Sequence, residues 1–334
     1  MPKQERLYDN HGRAITYARI AVTDRCNLRC YYCMPEEGIK YLPKSLLLSY
    51  EEIERLLTLL ARMGISKVRL TGGEPFVRKD LMKLIRKIIE IPGIDSLHLT
   101  TNGVLTSQYI PELKSLGIAS VNLSLDTLDR ERFKKITFRD EFSKVQLTLD
   151  SLIEHGIPTK INAVVMEGKN IDDIIPLIEL TRTLPVSVRF IEEMPFNGEG
   201  SHYPKLKWTY KKIFEYIQSN YAEVEKGFDP ENSTSCNYKI PGYVGDVGII
   251  AAFSRTFCGS CNRIRITANG ILKTCLYDSG VLSVRDILRK GSSDNMLREK
   301  LAHAFANRPK DGFEAEQRRS NHAPITESMS TIGG

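Results

Sequence analysis

The sequence of 334 residues contains no apolar run approaching the roughly 18 residues that cross a bilayer, which excludes a simple membrane-spanning helix. Its first residues, MPKQERLYDNHGR, lack the apolar core of a secretory signal, so the cytoplasm is the expected compartment. No run of Lys and Arg is interleaved with aromatics. The net charge of +6 therefore permits an anionic small molecule without calling for nucleic acid, and neither membrane nor nucleic acid is an expected partner. Histidine is scarce, six in all. Seven cysteines in a chain of this kind read as metal ligands rather than disulfides, because the cytosol keeps thiols reduced. The length exceeds that of a common single domain, and a main domain over residues 1–220 with an extension over 221–334 is expected.

What is present is concentrated in Cys26-Asn-Leu-Arg-Cys30-Tyr-Tyr-Cys33, three thiols spaced C-x3-C-x2-C. A structural zinc site takes four protein ligands, yet the nearest histidines are His11 and His98. A four-iron cubane on these three alone keeps one iron open for chemistry, whereas a cluster that only carries electrons has every iron ligated by Cys. Arg25 and Arg29 flank the thiols and favour the thiolate form.

Between about residues 17 and 220, β-rich runs alternate with amphipathic helical runs, the pattern of parallel βα repeats. Strands are predicted over Tyr17 to Val22, Lys67 to Thr71, Ser96 to Thr100, Ala119 to Leu125, Thr159 to Val165 and Val186 to Ile191. The first helix opens with a capping box, Ser49 and Glu52, carries Ile53, Leu56, Leu57 and Leu60 at helical spacing, and stops at Gly64. Six βα units are fewer than the eight of a closed TIM barrel. The expected fold is thus α/β, a partial (βα)6 TIM-type barrel, with function where strands end and loops begin. The cysteine loop follows the first strand, Gly72-Gly73-Glu74-Pro75 the second, Thr100-Thr101-Asn102-Gly103 the third, and Ser124 with Asp126 the fourth. Adjacent glycines admit a close backbone approach or a plain tight turn.

Arg19, Arg69, Lys160 and Arg189 interrupt apolar strands. Singly, each reads as a cation snorkelling at a strand edge or paired with a helix carboxylate. Together they would erase a net stability of about 5–15 kcal/mol unless counter-charges or an anion such as a polyphosphate compensated. Past residue 220 the repeat ends. Phe228 to Tyr243 reads as loop, with Cys236 in it. Cys258-Gly-Ser-Cys261 and, beyond a strand pair turning at Asn269-Gly270, Cys275 supply three more thiols. A zinc ribbon with Cys236 as fourth ligand is one reading of them. Against it, Arg263 and Arg265 alternate on the following strand and share a face. Residues 283–308 read as helical, and the polar stretch after Pro309 as a disordered tail.

The C-x3-C-x2-C loop with Tyr32 before its last Cys, followed by Gly-Gly-Glu-Pro after the second strand, resembles the radical S-adenosylmethionine (SAM) enzymes. Phe257-Cys-Gly-Ser-Cys-Asn-Arg-Ile-Arg265 and the terminal Gly333-Gly334 narrow the resemblance to the GTP 3′,8-cyclase family of molybdenum cofactor biosynthesis. It runs over nearly the whole chain. It implies two 4Fe-4S clusters, on Cys26, Cys30 and Cys33 and on Cys258, Cys261 and Cys275, with SAM held by Tyr32, Gly73, Ser124 and Met194. It also implies GTP contacts from Arg19, Arg69, Thr100, Lys160, Arg189, Arg263 and Arg265. By the same resemblance a radical made from SAM takes hydrogen from the ribose 3′ carbon, that carbon attacks guanine carbon 8, and the terminal Gly-Gly enters the active site. An electron donor such as flavodoxin or ferredoxin and a homodimer are expected with it. The rivals are a radical SAM enzyme with an auxiliary cluster acting on another substrate, and a non-catalytic zinc or nucleic-acid-binding protein. The sequence departs from the family pattern at Phe76, at Phe138, over Asn232 to Cys236, and at Glu193, where an acid replaces an apolar residue beside Met194.

Overall fold

The computed structural model describes residues 7–196, 206–319 and 327–333. In chain order the elements are β1 (Tyr17–Ala21), α1 (Tyr50–Arg62), β2 (Lys67–Thr71), α2 (Leu81–Ile89), β3 (Ser96–Thr101), α3 (Ile110–Ser115), β4 (Ser120–Ser124), α4 (Arg130–Thr137), α5 (Phe142–Glu154) and β5 (Thr159–Val165). There follow α6 (Ile174–Thr183), β6 (Val186–Glu192), α7 (Tyr210–Asn220), β7 (Glu225–Lys226), β8 (Ser235–Lys239), β9 (Asp246–Ile250), β10 (Arg263–Ile266), β11 (Ile271–Lys273) and β12 (Leu282–Ser283). The described chain ends with α8 (Val284–Arg289), α9 (Asp294–Ala306), α10 (Gly312–Gln317) and α11 (Met329–Ile332). All six strands predicted for the repeat are present, within a residue or so of their expected ends.

Two compact units are assembled from separate stretches: residues 1–26, 40–99 and 258–334 form the first, and residues 27–39 and 100–257 the second. These units do not follow chain order, as the split expected at residue 220 does. In the first unit β10, β1, β2 and β3 run parallel, and β10 turns back into antiparallel β11 and then β12. A strand of the expected extension is therefore built directly onto β1. Ala18, Ile20, Val68, Leu70, Ile264 and Ile266 are buried on one face, which leaves Tyr17, Arg19, Lys67, Arg69, Arg263 and Arg265 on the other. Each buried branched aliphatic contributes about 1.5–3 kcal/mol. The α1 capping box forms in both directions: Glu52 N–H donates to Ser49 Oγ at 3.1 Å and Ser49 N–H to Glu52 Oε2 at 2.7 Å. Its stripe of Ile53, Leu56, Leu57 and Leu60 is fully buried.

In the second unit β4, β5, β6 and β9 are parallel, and β8 and β7 continue antiparallel from β9. The stretch expected as loop between Phe228 and Tyr243 contains β8, and Cys236 lies on it. Its sequence, Ser-Cys-Asn-Tyr-Lys, hides the strand because the residues turned inward, Ser235 and Asn237, are polar yet buried. Phe138, one of the departures, ends α4 in the left-handed conformation at φ +54°, a position glycine occupies without strain.

The region expected to be helical over 283–308 is helical, in two pieces, α8 and α9. The stretch after Pro309, expected as a disordered tail, carries α10 and α11 among its described residues. Asp311 caps α10 by accepting from the Phe313 and Glu314 N–H groups, and α11 buries Ser330 and Ile332. No helix among the described residues is long and apolar enough to cross a membrane.

Candidate active site

The cysteine loop is held from both sides of its sequence. In the first unit Gly73 N–H donates to Thr23 O and Glu74 N–H to Arg25 O, each at 2.8 Å, so the Gly-Gly-Glu segment lies along the backbone leading into Cys26. A Cβ at Gly73 would meet Arg25 O at 2.3 Å, and one at Gly72, whose φ is +152°, would meet Thr23 O at 2.4 Å. Close backbone approach, not a generic turn, is why both positions are glycine.

In the second unit Arg29 and Tyr31 donate their N–H groups to the Thr137 and Ile136 carbonyls at the C-terminal end of α4, at 2.9 and 3.1 Å. The Cys33 N–H to Cys30 O bond of 2.8 Å puts those two thiols in one tight turn. Tyr32 donates its hydroxyl to Asp126 Oδ2 at 3.0 Å, and Asp126 Oδ1 accepts the Val164 N–H at 2.8 Å. Burial raises the Asp126 carboxyl to about 7 against these hydrogen bonds, and burial, with Asp126 and the Cys30 and Cys33 sulfurs, holds the Tyr32 phenol well above its usual value. Glu193 accepts a 2.9 Å hydrogen bond from Tyr31, over whose ring Lys169 Nζ sits 4.9 Å from the centroid. The acid that departs from the family pattern thus braces the cysteine loop. Met194 follows it, and its carbonyl accepts the Phe196 N–H at 2.9 Å.

Ser124 ends β4, and register carries its row across the second unit through Asn162, Arg189, Gly248 and Asn237. Two residues earlier the row is Asn122, Lys160, Ser187 and Asp246. Ser124, Lys160 and Arg189, expected at the site, therefore share one face. Sequence reasoning missed the neutral members. Asn122 Oδ1, Asn162 Oδ1, Ser235 Oγ and Asn237 Oδ1 are buried without a hydrogen-bond partner among the described residues, an unfavourable state that a bound polar group would relieve. Asparagine alternating with Val, Leu and Ile in β4 and β5 was the available signal.

The first unit gathers the remaining cations. Arg265 pairs with Arg19, Arg19 with Arg69 and Arg69 with His98, while Lys273 lies opposite Arg265, so five basic side chains occupy one cross-strand row. Arg263, Tyr17 and Lys67 form the row before it, while Thr100, near the end of β3, belongs to the second unit. Burial and the neighbouring arginines depress the affinity of Arg19 and Arg265 for their protons. Within this face Arg69 donates through Nε to Tyr17 Oη at 2.7 Å and through Nη1 to the Leu99 carbonyl at 2.9 Å. The buried Tyr17 phenol is lowered to about 7: burial opposes ionisation, but Arg69, Arg19 and Lys67 prevail. Tyr17 is a partial internal counter-charge to a face otherwise built for an anion.

The second cysteine set adjoins that face in the same unit. Cys261 N–H donates to Cys258 O at 3.1 Å. Arg308, only 2% exposed, donates to the Arg263 and Thr274 carbonyls, each at 3.0 Å, and points Nη2 at Cys261 Sγ, 3.7 Å away. Its other hydrogen bonds include Asp9 Oδ2 at 3.3 Å, while Arg13, paired with Asp9 at 2.7 Å, reaches the Cys258 carbonyl at 2.9 Å. Burial pushes the Cys275 thiol up to about 12, with Asp278, Cys261 and Cys258 adding to it. Cys261 is lowered because Arg263 and Arg308 overcome its burial. Cationic donors aimed at a sulfur suit a thiolate ligand. Among the described residues no three Cys, His, Asp or Glu side chains converge as one metal ion requires. A cubane takes each thiolate on a different iron and so sets its ligands farther apart.

The tail reaches the cationic face. Arg265 Nη1 donates to the Gly333 carbonyl at 2.5 Å, and a Cβ on Gly333, at φ +88°, would meet Thr71 Oγ1 at 2.4 Å and Ala21 Cβ at 3.0 Å. Gly333 therefore lies over the Ala21 and Thr71 pair, one step beyond Arg19 and Arg69 along β1 and β2. Gly334 lies outside the described residues.

Residues 20–181 match the Radical SAM superfamily and residues 186–314 match Molybdenum Cofactor Synthesis C. The chain is 43% identical over 292 residues to Molybdenum cofactor biosynthesis protein 1 of Bos taurus, covering 87% of this chain and 46% of that one. It is 43% identical over 305 residues to GTP 3′,8-cyclase of Syntrophomonas wolfei subsp. wolfei (strain DSM 2245B / Goettingen), covering 91% and 93%. It thus spans about half the length of some relatives and nearly all of others. The crystal structure of Streptococcus suis SuiB superposes with a TM-score of 0.62 at 15% identity, over 91% of this chain and 73% of that one. That likeness carries the fold, a mixed α/β architecture with the parallel β/α core of a radical SAM partial barrel, joined to the Molybdenum Cofactor Synthesis C region. The superfamily implies a 4Fe-4S cluster and SAM. By its identity over nearly the full length of a curated relative, this chain belongs to the GTP 3′,8-cyclase family of radical SAM proteins.

Proposed function

We propose that this protein is a radical SAM cyclase that converts GTP to (8S)-3′,8-cyclo-7,8-dihydroguanosine 5′-triphosphate, an early step of molybdenum cofactor biosynthesis. The observation that carries the reading is the in-register row of Arg265, Arg19 and Arg69, with Arg263 beside it, on a face of the first unit. Three guanidiniums side by side are costly without a polyanion, and a triphosphate supplies the compensating charge through bidentate contacts. Lys160 and Arg189 of the second unit add to the triphosphate contacts, with Thr100 beside them in role.

Cys26, Cys30 and Cys33 would hold the 4Fe-4S cluster at which SAM is bound, and Tyr32, Gly73, Ser124 and Met194 would hold SAM. When bound, this pair supplies the hydrogen-abstracting radical. Cys258, Cys261 and Cys275 would hold a second cluster, a fit supported by Arg263 and Arg308 directed at Cys261. The protein's own work is positional. Asp126 fixes the Tyr32 ring, Glu193 fixes Tyr31, and the unpartnered Asn122 and Asn162 oxygens accept hydrogen bonds from nucleoside hydroxyl or amino groups. The cations bind the triphosphate and so hold the ribose in near-attack geometry, away from quenching water. Gly333 places backbone, without a side chain, beside Arg265. Flavodoxin or ferredoxin is the proposed electron donor, a homodimer the proposed assembly, and the cytoplasm the proposed compartment.

The test is anaerobic incubation of cluster-loaded protein with SAM, a reductant and GTP, with mass analysis of the product. Formation of the cyclic triphosphate is expected. About eight irons per chain accompany two cubanes; zinc without iron, or turnover of some other substrate and none of GTP, would overturn the assignment.

A further inference from the structure

The cross-strand row contains a charge that the triphosphate reading does not use. Lys273, on β11 opposite Arg265, is fully buried, and its Nζ lies 2.5 Å from Glu327 Oε2. Glu327 is the first described residue of the tail, and the Gly333 carbonyl on Arg265 is the last. Between these two anchors α11 buries Ser330 and Ile332. The seven residues 327–333 are thus pinned at both ends to neighbouring positions of one row, and both pins are cations of that row.

We infer that the Lys273–Glu327 ion pair is the latch that docks the C-terminal tail and so positions Gly333 at Arg265. Two physical points carry it. A buried ammonium beside a row of guanidiniums needs a counter-charge close by, and Glu327 is the carboxylate in contact with it. And a short helix of four residues has too little internal hydrogen bonding to hold itself in place, so tertiary anchors decide whether it docks. Glu327 is the only one of the two partners that leaves with the tail: when the tail lifts, Lys273 is left buried and unpaired, which makes docking strongly favoured while Lys273 is charged. Lys273 and Glu327 act as positioning residues, distinct from the groups that touch GTP. Their consequence for turnover rests on the proposed role of the tail in cyclisation.

The experiment is hydrogen–deuterium exchange on the cluster-loaded full chain, reading the peptide that spans 327–334 against one from α1 as an internal reference. The Gly333 N–H to Met329 O and Thr331 N–H to Ser328 O bonds report docking. Glu327→Gln is expected to speed exchange of the tail peptide at least tenfold and leave α1 unchanged. Lys273→Met/Glu327→Leu, which buries no unpaired charge, is expected to return protection to within about threefold of wild type. With cyclisation measured alongside, Glu327→Gln should lower kcat while changing the KM for GTP less than twofold. Unchanged tail exchange in Glu327→Gln, or acceleration shared equally by α1, would overturn the latch. Faster tail exchange with normal kcat would leave the latch standing and overturn the tail's part in cyclisation.

Discussion

Replacing Tyr17 by Phe removes one oxygen from the cationic face and tests whether that face is as positively charged as its residues imply. The phenol is lowered from 10.0 to about 7, against its burial, by Arg69, Arg19 and Lys67 and by the hydrogen bond from Arg69. A depressed pKa stabilises the fold in full above the unfolded value, and that stabilisation is lost as pH falls through the folded one. The window therefore runs from pH 10 down to about 7. Three pH units at about 1.4 kcal/mol each give a ceiling of about 4 kcal/mol. Urea unfolding of wild type and Tyr17→Phe across that window cancels every other titrating group, and the stability difference should grow in favour of wild type as pH rises. A parallel consequence concerns the substrate. The phenolate subtracts from the positive face, so GTP affinity should weaken above about pH 7 in wild type and not in Tyr17→Phe. A stability difference that stays flat within about 0.5 kcal/mol from pH 7 to 10 would refute the charge reasoning, because no ionisable phenol could then lie among those cations.

Gly73→Ala places a methyl group 2.3 Å from Arg25 O, a backbone atom with no rotamer to yield; it should destabilise the fold by roughly 1–3 kcal/mol and abolish SAM binding, read by calorimetric titration of the anaerobic protein. Arg308→Ala breaks a buried pair with Asp9 and releases the Thr274 and Arg263 carbonyls; a loss of about 3–5 kcal/mol is expected, with iron content falling at the second cysteine set, and full iron retention would count against its role there. Arg263→Ala should weaken GTP binding and product formation while the SAM cluster's absorbance is unchanged; normal turnover would remove it from the substrate contacts. Deleting Gly333 and Gly334 should abolish cyclisation and preserve both clusters, and an active truncation would return the tail to a structural role.

The parallel strands were legible because Val, Ile and Leu alternate with residues that cannot share their face, and the cations in β1, β2, β5 and β6 stood out for the same reason. What stayed hidden depends on pairing between distant stretches. That β10 lies beside β1, and so aligns Arg265 with Arg19, follows from register and from no local pattern. Arg308 carries no sign in its sequence neighbourhood that it will reach Cys261, and Glu327, in a polar stretch, gives none that it will meet Lys273. Glu193 shows in the sequence only as an acid where the family pattern has an apolar residue; the structure gives it a partner, the Tyr31 hydroxyl. The buried asparagines show the converse limit. A neutral polar residue in a strand raises no electrostatic alarm, and only the absence of a partner for the Asn122 and Asn162 oxygens marks them as ligand-facing. Charge is thus the feature of this site that sequence displays best, since an uncompensated charge is costly wherever it is buried. Neutral hydrogen-bonding groups become informative only once the fold shows which of them it has left unsatisfied.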